Sequence, residues 1–488
     1  MKNFQFLSPW RQPPLWLAIS ALGLALACSS NNPPADGFNA SSSTKSKGRL
    51  VVATSESTSA QVIDLELGQV EASPLTLASA PMLAVSADGS TLFAVQPSSN
   101  LTEIFKMGAS IASPATASTT VDAHAGHSHK PRENATTEAS STTTITGASS
   151  ASSVERVNLR ITGQGPVLPV VGDHQTAFYH SVSGKTVVWR QDFINSINEA
   201  SAIEIAGFGP GVPFEKDEVV FAANIYSLAS GKFEDLNALS TNVTLPVSAA
   251  RVGETSFVFG TAEGVIIVRH DHATETWSRE LLARKTDIDH ATLYHGHSGV
   301  DTAHAQMVVD KAVVSQWITH PSLPHAFAHL SRSAHSAGIY LVEVEAGATG
   351  WERIDGTSAE SYYPVASALD ESGEYLVILL SNGKVRLHDA HDEGKFLLER
   401  SVVSAMDTDF LNEPVASVTT EHSHDQALPP GLAVGLGKIF VGDTQRNLVH
   451  QLDLKTLKSE LTWKVDSHPE RLALLGAILI RNEHEHTH

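Results

Sequence analysis

Cysteine is almost missing from these 488 residues: there is one, Cys28. A lone cysteine excludes an intramolecular disulfide and any site built on several thiolates. Methionine is scarce too, five in all, so a thioether Cu(I) site has little to draw on. Positive charge is deficient: 33 Lys and Arg against 53 Asp and Glu leave a formal charge of −20, which repels a phosphate backbone and excludes nucleic acid as a partner. The same charge favours cations. No Gly-x-Ser-x-Gly elbow, phosphate loop, His-Glu-x-x-His helix or cofactor fingerprint occurs, so no motif announces an enzyme. Helical periodicity is nearly absent.

What is present begins with an export signal. Lys2 and Arg11 precede an apolar run from Leu15 to Ala27, about a dozen residues that are too few to span a bilayer comfortably. The run ends in "LALAC", which resembles a bacterial lipoprotein signal. That resemblance implies lipidation of Cys28, and Ser29 after it implies sorting to the outer membrane, on the periplasmic side. An ordinary signal peptide with an incidental cysteine is the alternative. Residues 1–27 are thus expected to be removed, and 28–48, "CSSNNPPADGFNASSSTKSKG", to form a tether with too little apolar surface to fold.

From Arg49 onward, apolar runs of four to six residues alternate with Gly, Asp, Asn and Ser, which is strand-and-turn punctuation. One element recurs eight times, beginning at Ala80, Gly165, Gly209, Leu245, His304, Tyr363, Pro429 and His468: a proline or small residue, a strand, a polar turn and a second strand. Third and fourth strands follow, as in "SNGKVRLHD" and "FLLERS". Four strands per unit, repeated, predict an all-β fold, a β-propeller over residues 49–482. Eight blades are expected, seven if the irregular unit near His304 is discounted. Because the chain opens with later strands of a unit and ends with first ones, the termini should share a blade and remove the open sheet edge. Two insertions break the rhythm: a Ser/Thr/Ala-rich loop at 108–153, which reads as disordered, and a second at about 285–304.

Histidine is the compositional outlier, 24 residues, many in clusters. The first cluster is "VDAHAGHSHK", with Asp122, His124, His127 and His129; the second holds Asp289, His290, His295, His297, Asp301 and His304. The third is "EHSHD", with His422 and His424, and the last is the tail 483–488, with His484, His486 and His488. Imidazole with carboxylate suits Zn(II), and Cu(II) or Ni(II) would also bind. A surface that charges on acidification is the other reading of so many histidines. His174, His180, His388, His391 and His450 stand singly and read as solvated side chains.

Three stretches carry a family resemblance: "RLVVATSESTSAQVIDLELGQV", the histidine-rich loop between "IFKMG" and "VNLRITGQGP", and "EHSHDQALPPGLAVGLGKIFVGDTQRNLVHQLDL". With them the chain, from Arg49 to about Gly476, resembles the AztD-type periplasmic zinc metallochaperones, β-propellers that deliver zinc to the solute-binding protein of a zinc ABC transporter. The resemblance implies that His127 and His129, helped by His124 and Asp122, are loop zinc ligands, and that His422 and His424 match a second motif. It also implies histidines at the starts of innermost strands, where this chain has "GPVLPVV", "GPGVPF" and "TLPVSAA". The insertion with His290, His295, His297 and His304 could take the place of such a central site. A lipid-anchored scaffold for protein interaction is the second functional class the residues allow.

Overall fold

The structure is a computed structural model describing residues 48–107, 154–172, 175–190, 203–215, 217–236, 245–261, 263–283, 314–330, 338–345, 351–355, 362–406 and 430–477. Among these the strands form eight antiparallel sheets, and each is a blade of a propeller. Blades 1 to 7 span residues 82–162, 170–206, 212–235, 248–283, 314–353, 364–401 and 432–464, each a four-stranded meander in chain order. The innermost strands are Met82–Val85, Val170–Val171, Val212–Phe214, Ser248–Val252, Val314–Ile318, Pro364–Leu369 and Leu432–Gly435. Blade 8 is shared between the termini. Arg471–Leu475, innermost, pairs antiparallel with Arg49–Ala53, which pairs in turn with Ser59–Asp64.

The continuous apolar runs of the second strands follow from this arrangement. Successive side chains of a strand point to opposite faces, and each blade has a neighbour on both sides. In blade 1, Leu92 and Ala94 enter the cluster shared with blade 8, whereas Phe93 packs with Phe178 of blade 2. The Phe93 and Phe178 rings meet edge to face at 5.4 Å. Each of the eight gaps between blades holds one such apolar cluster, so the core is a ring of eight seams.

Ring closure is reinforced around Arg471–Leu475. Glu470 accepts from the Thr54 hydroxyl at 2.7 Å and from the Ser55 amide at 2.8 Å. On the other side the Gly476 amide donates to the Gly89 carbonyl at 2.8 Å. Gly89 has φ +67° and lies so close to the Ala477 carbonyl that a Cβ would stand 2.2 Å from its oxygen, so no larger residue fits this turn. Beneath the ring's rim, Arg49 and Asp64 form an almost fully buried ion pair at 3.1 Å.

Two repeat boundaries differ from expectation. The unit placed at His304 begins later: Val314–Ile318 is the innermost strand of blade 5, and its partner is His325–Leu330. "VVDKAVV" imitates a strand pair around an Asp-Lys turn, while the turn that forms is the proline-rich "THPSLP". At the C-terminus, the last unit contributes one strand among the described residues, Arg471–Leu475, whose free edge pairs with Arg49–Ala53; residues 478–482 lie outside the described residues. No helix among the described residues is long and apolar enough to cross a membrane.

Candidate functional site

A four-stranded meander fixes which face each connection occupies. Turns between first and second and between third and fourth strands lie on one face, called lower; all other connections lie on the upper face. Asp122, His124, His127 and His129 fall outside the described residues, between Met107 and Val154, which end the third and begin the fourth strand of blade 1. These strand ends are on the lower face. His290, His295, His297 and His304, and likewise His422 and His424, also fall outside the described residues. They are attached through Ala283 and Val314 and through Met406 and Pro430, all on the upper face. Cys28 and the tail 483–488 lie outside the described residues as well.

The eight innermost strands carry no histidine. They present Met82 to Val85, Val170, Val171, Leu432 and Val434 among other apolar side chains, and a central metal site cannot be assembled from them. This agrees with the departure visible in the sequence.

The single histidines divide. His391 is exposed, but His180 and His388 are only 2% and 1% exposed, so they are core residues and not solvated ones. The His388 Nδ1 contacts the Gly394 carbonyl oxygen at 2.7 Å. His320, His325 and His329, which stand outside the clusters of the sequence reading, are buried too. His320 bridges Ser322 Oγ at 2.7 Å and the Glu371 carbonyl at 3.0 Å, and His325 Nε2 reaches the Ala390 carbonyl at 2.9 Å. Each ties blade 5 to blade 6. Burial holds the imidazoles of His180, His320, His325 and His388 below the ordinary histidine pKa, and that of His329 is pushed down to about 4. These neutral rings serve packing.

His180 shows how tightly. A Cβ on Gly163 would lie 2.1 Å from His180 Nδ1, inside the ring's contact distance. Gly163→Ala is therefore expected to cost about 1–3 kcal/mol by overpacking, read as a lower urea midpoint with an unchanged slope.

A cleft of ≈ 980 Å³ lies on the lower face between blades 4 and 5. Blade 4 contributes Glu254 and the stretch from Arg269 to Ala273, and blade 5 contributes Pro321, Ser322 and Glu345. Arg269 fixes the seam: it donates to the Val344 and Glu345 carbonyls across it and pairs with Glu280 at 3.0 Å. The third strand of blade 4, Gly264–Asp271, ends at this cleft in "RHDHATE". The Asp271 carboxylate accepts from the Ala273 amide at 2.9 Å, which turns the chain and sets His270 and His272 on the same side. Their ring centres are 4.7 Å apart, nearly perpendicular. Phe214 and Trp277 flank His270 at 5.5 and 4.5 Å.

The surrounding field is negative. Glu218 of blade 3 has its carboxyl pushed up by burial first and then by Glu215, Glu234, Asp217 and Glu275. Arg251 stacks over Phe214 at 5.5 Å and donates to the Glu254 carbonyl. Among the described residues no group of three or more His, Cys, Asp or Glu is placed to hold a metal ion. In the sequence His270 falls at the end of the strand "AEGVIIVRHD", which masks the His-x-His spacing that it shares with His272 just beyond.

No protein-family model matches the chain, and no match is found among curated sequences. In structure the chain is similar to AztD from Citrobacter koseri: TM-score 0.59 at 15% identity, covering 88% of this chain and 98% of that one. Apo AztD from the same organism gives 0.58 at 14% identity with the same coverage. This likeness establishes the eight-bladed fold.

Proposed function

We propose that the chain is an extracytoplasmic zinc carrier, a metallochaperone of the AztD kind, and not an enzyme. The observation that carries this reading is the placement of histidine-rich stretches between the strands of an AztD-like propeller, within a chain of net charge −20. His124, His127 and His129, with Asp122, capture Zn(II) on the stretch joined to blade 1 at Met107 and Val154. His422 and His424, and the set His290, His295, His297 and His304, offer further imidazoles on the stretches that join blades 6 to 7 and 4 to 5. The recipient is the solute-binding protein of a zinc transporter, and Cys28 carries the lipid that holds the chain at the outer membrane.

The chemistry favours transfer over storage. Zn(II) has no geometric preference from its d electrons, and a closed four-ligand site holds it as part of the fold. Two or three imidazoles on a stretch rich in Ser, Thr and Ala leave coordination positions to water, so an incoming ligand can replace them one at a time. The propeller supplies a fixed platform beside which that exchange takes place.

Zinc titration of the chain from Ser29 onward, by calorimetry at neutral pH, tests this reading. The parent is expected to bind at submicromolar Kd, and the H124A/H127A/H129A variant to lose one equivalent. If neither binds tighter than about 0.1 mM, roughly −5.5 kcal/mol, the lipid-anchored interaction scaffold becomes the better account.

A further inference from the structure

We infer that His270 and His272 form a second, independent binding site for a divalent transition-metal ion, on the lower face at the seam between blades 3 and 4. Three observations converge on it. First, His270 is 9% exposed at the lower edge of that seam, yet neither ring nitrogen is hydrogen-bonded. Its Nδ1 is buried without a partner, and its Nε2 has only Glu275 Oε2, at 3.6 Å. A buried polar group left unsatisfied costs about 1–3 kcal/mol. The other buried histidines of blades 5 and 6 each have a partner for at least one nitrogen.

Second, the spacing suits a shared ion. Nitrogens about 2.0–2.1 Å from zinc put the centres of two coordinating imidazoles about 5 Å apart, and these two stand at 4.7 Å. Phe214 and Trp277 wall the His270 ring and hold its orientation, while His272 is exposed and able to turn toward the same point. The gap of 3.6 Å between His270 Nε2 and the Glu275 carboxylate is too long for a hydrogen bond and wide enough to admit an ion between them.

Third, the charge is right. Glu254, Asp271 and Glu275, with Glu215 and Glu218 across the seam to blade 3, place anionic groups around the pair. Nitrogen with carboxylate selects Zn(II), Cu(II) or Ni(II) over Mg(II) or Ca(II). Two protein imidazoles with water completing the shell make an open, exchangeable site. Its existence does not depend on what the loop histidines do.

The test is histidine modification by diethyl pyrocarbonate on the full chain, resolved peptide by peptide by mass spectrometry, with and without Zn(II) and with Mg(II) as control. Zinc is expected to slow modification of His272 at least tenfold, Mg(II) to leave it unchanged, and Glu275→Gln to weaken the protection several-fold. Because His270 is buried, its replacement could unfold the seam; the exposed His272→Ala variant is used instead and should bind one equivalent fewer than the parent. Equal modification of His272 with and without zinc, or unaltered stoichiometry in His272→Ala, overturns the site. The peptide carrying His124, His127 and His129 reports on the carrier reading in the same experiment, so the two can fail separately.

Discussion

A chain ending at Asp466 is expected to lose cooperative unfolding altogether. The deletion removes Arg471–Leu475, the innermost strand of blade 8, and with it Ala473, Leu474 and Leu475, exposed by only 5%, 6% and 0%. It strips five register pairs from Arg49–Ala53 and leaves Leu50, Val51, Val52 and Ala53 beside an open edge. Those residues belong to two of the eight apolar seams, with blade 7 and with blade 1, so both lose packing at once. At about 1.5–3 kcal/mol for each fully buried leucine, plus the ladder hydrogen bonds, the loss is comparable to the net stability of about 5–15 kcal/mol typical of a folded domain. Thermal melts followed by near-UV circular dichroism should show no sharp transition. A synthetic peptide of residues 467–477 should restore it by adding the missing strand. A deletion chain that melts cooperatively at the parent temperature would show that the ring is closed by something other than this strand.

Acidification should destabilise the propeller steeply, through its buried histidines. In the unfolded chain His329 titrates near the ordinary value of about 6.5, whereas in the fold burial pushes it down to about 4. Below pH 6.5 the unfolded state therefore binds the proton that the native state refuses, and stability falls as pH falls, levelling off only below about 4. Between pH 7 and pH 5 this residue alone is worth about 2 kcal/mol. His180, His320, His325 and His388 are shifted in the same direction by burial and add to the fall. Urea unfolding at both pH values measures it. The His329→Gln variant should show a drop smaller than the parent's by about 2 kcal/mol; an equal drop in both would remove His329 as its source. This is a core effect, distinct from the charging of surface histidines.

The blade rhythm was legible because each second strand is packed on both faces, which demands an uninterrupted apolar run such as "TLFAVQ" or "YLVILL" bounded by Gly and Asp turns. It misled where the local signal was ambiguous. The Asp-Lys pair near residue 310 looks like a turn by composition, and only pairing shows that Val314–Ile318 comes first in its blade. His320 and His325 were illegible for a related reason: a histidine that bonds a carbonyl 51 or 65 residues away looks locally like any other polar residue.

By itself the sequence determined the fold class and the closure by shared termini and favoured eight blades over seven, since all three follow from strand period and repeat count, which are local quantities. It also marked the histidine stretches, because composition needs no coordinates. The tertiary structure alone decided that His180, His320, His325, His329 and His388 are buried, that the stretch holding the loop histidines of blade 1 attaches on the face opposite the others, and that His270 and His272 stand together at the acidic lower edge of the seam between blades 3 and 4 with His270 unbonded. Those properties belong to residues from different blades brought together by the curvature of the ring, and no spacing along one chain segment encodes them.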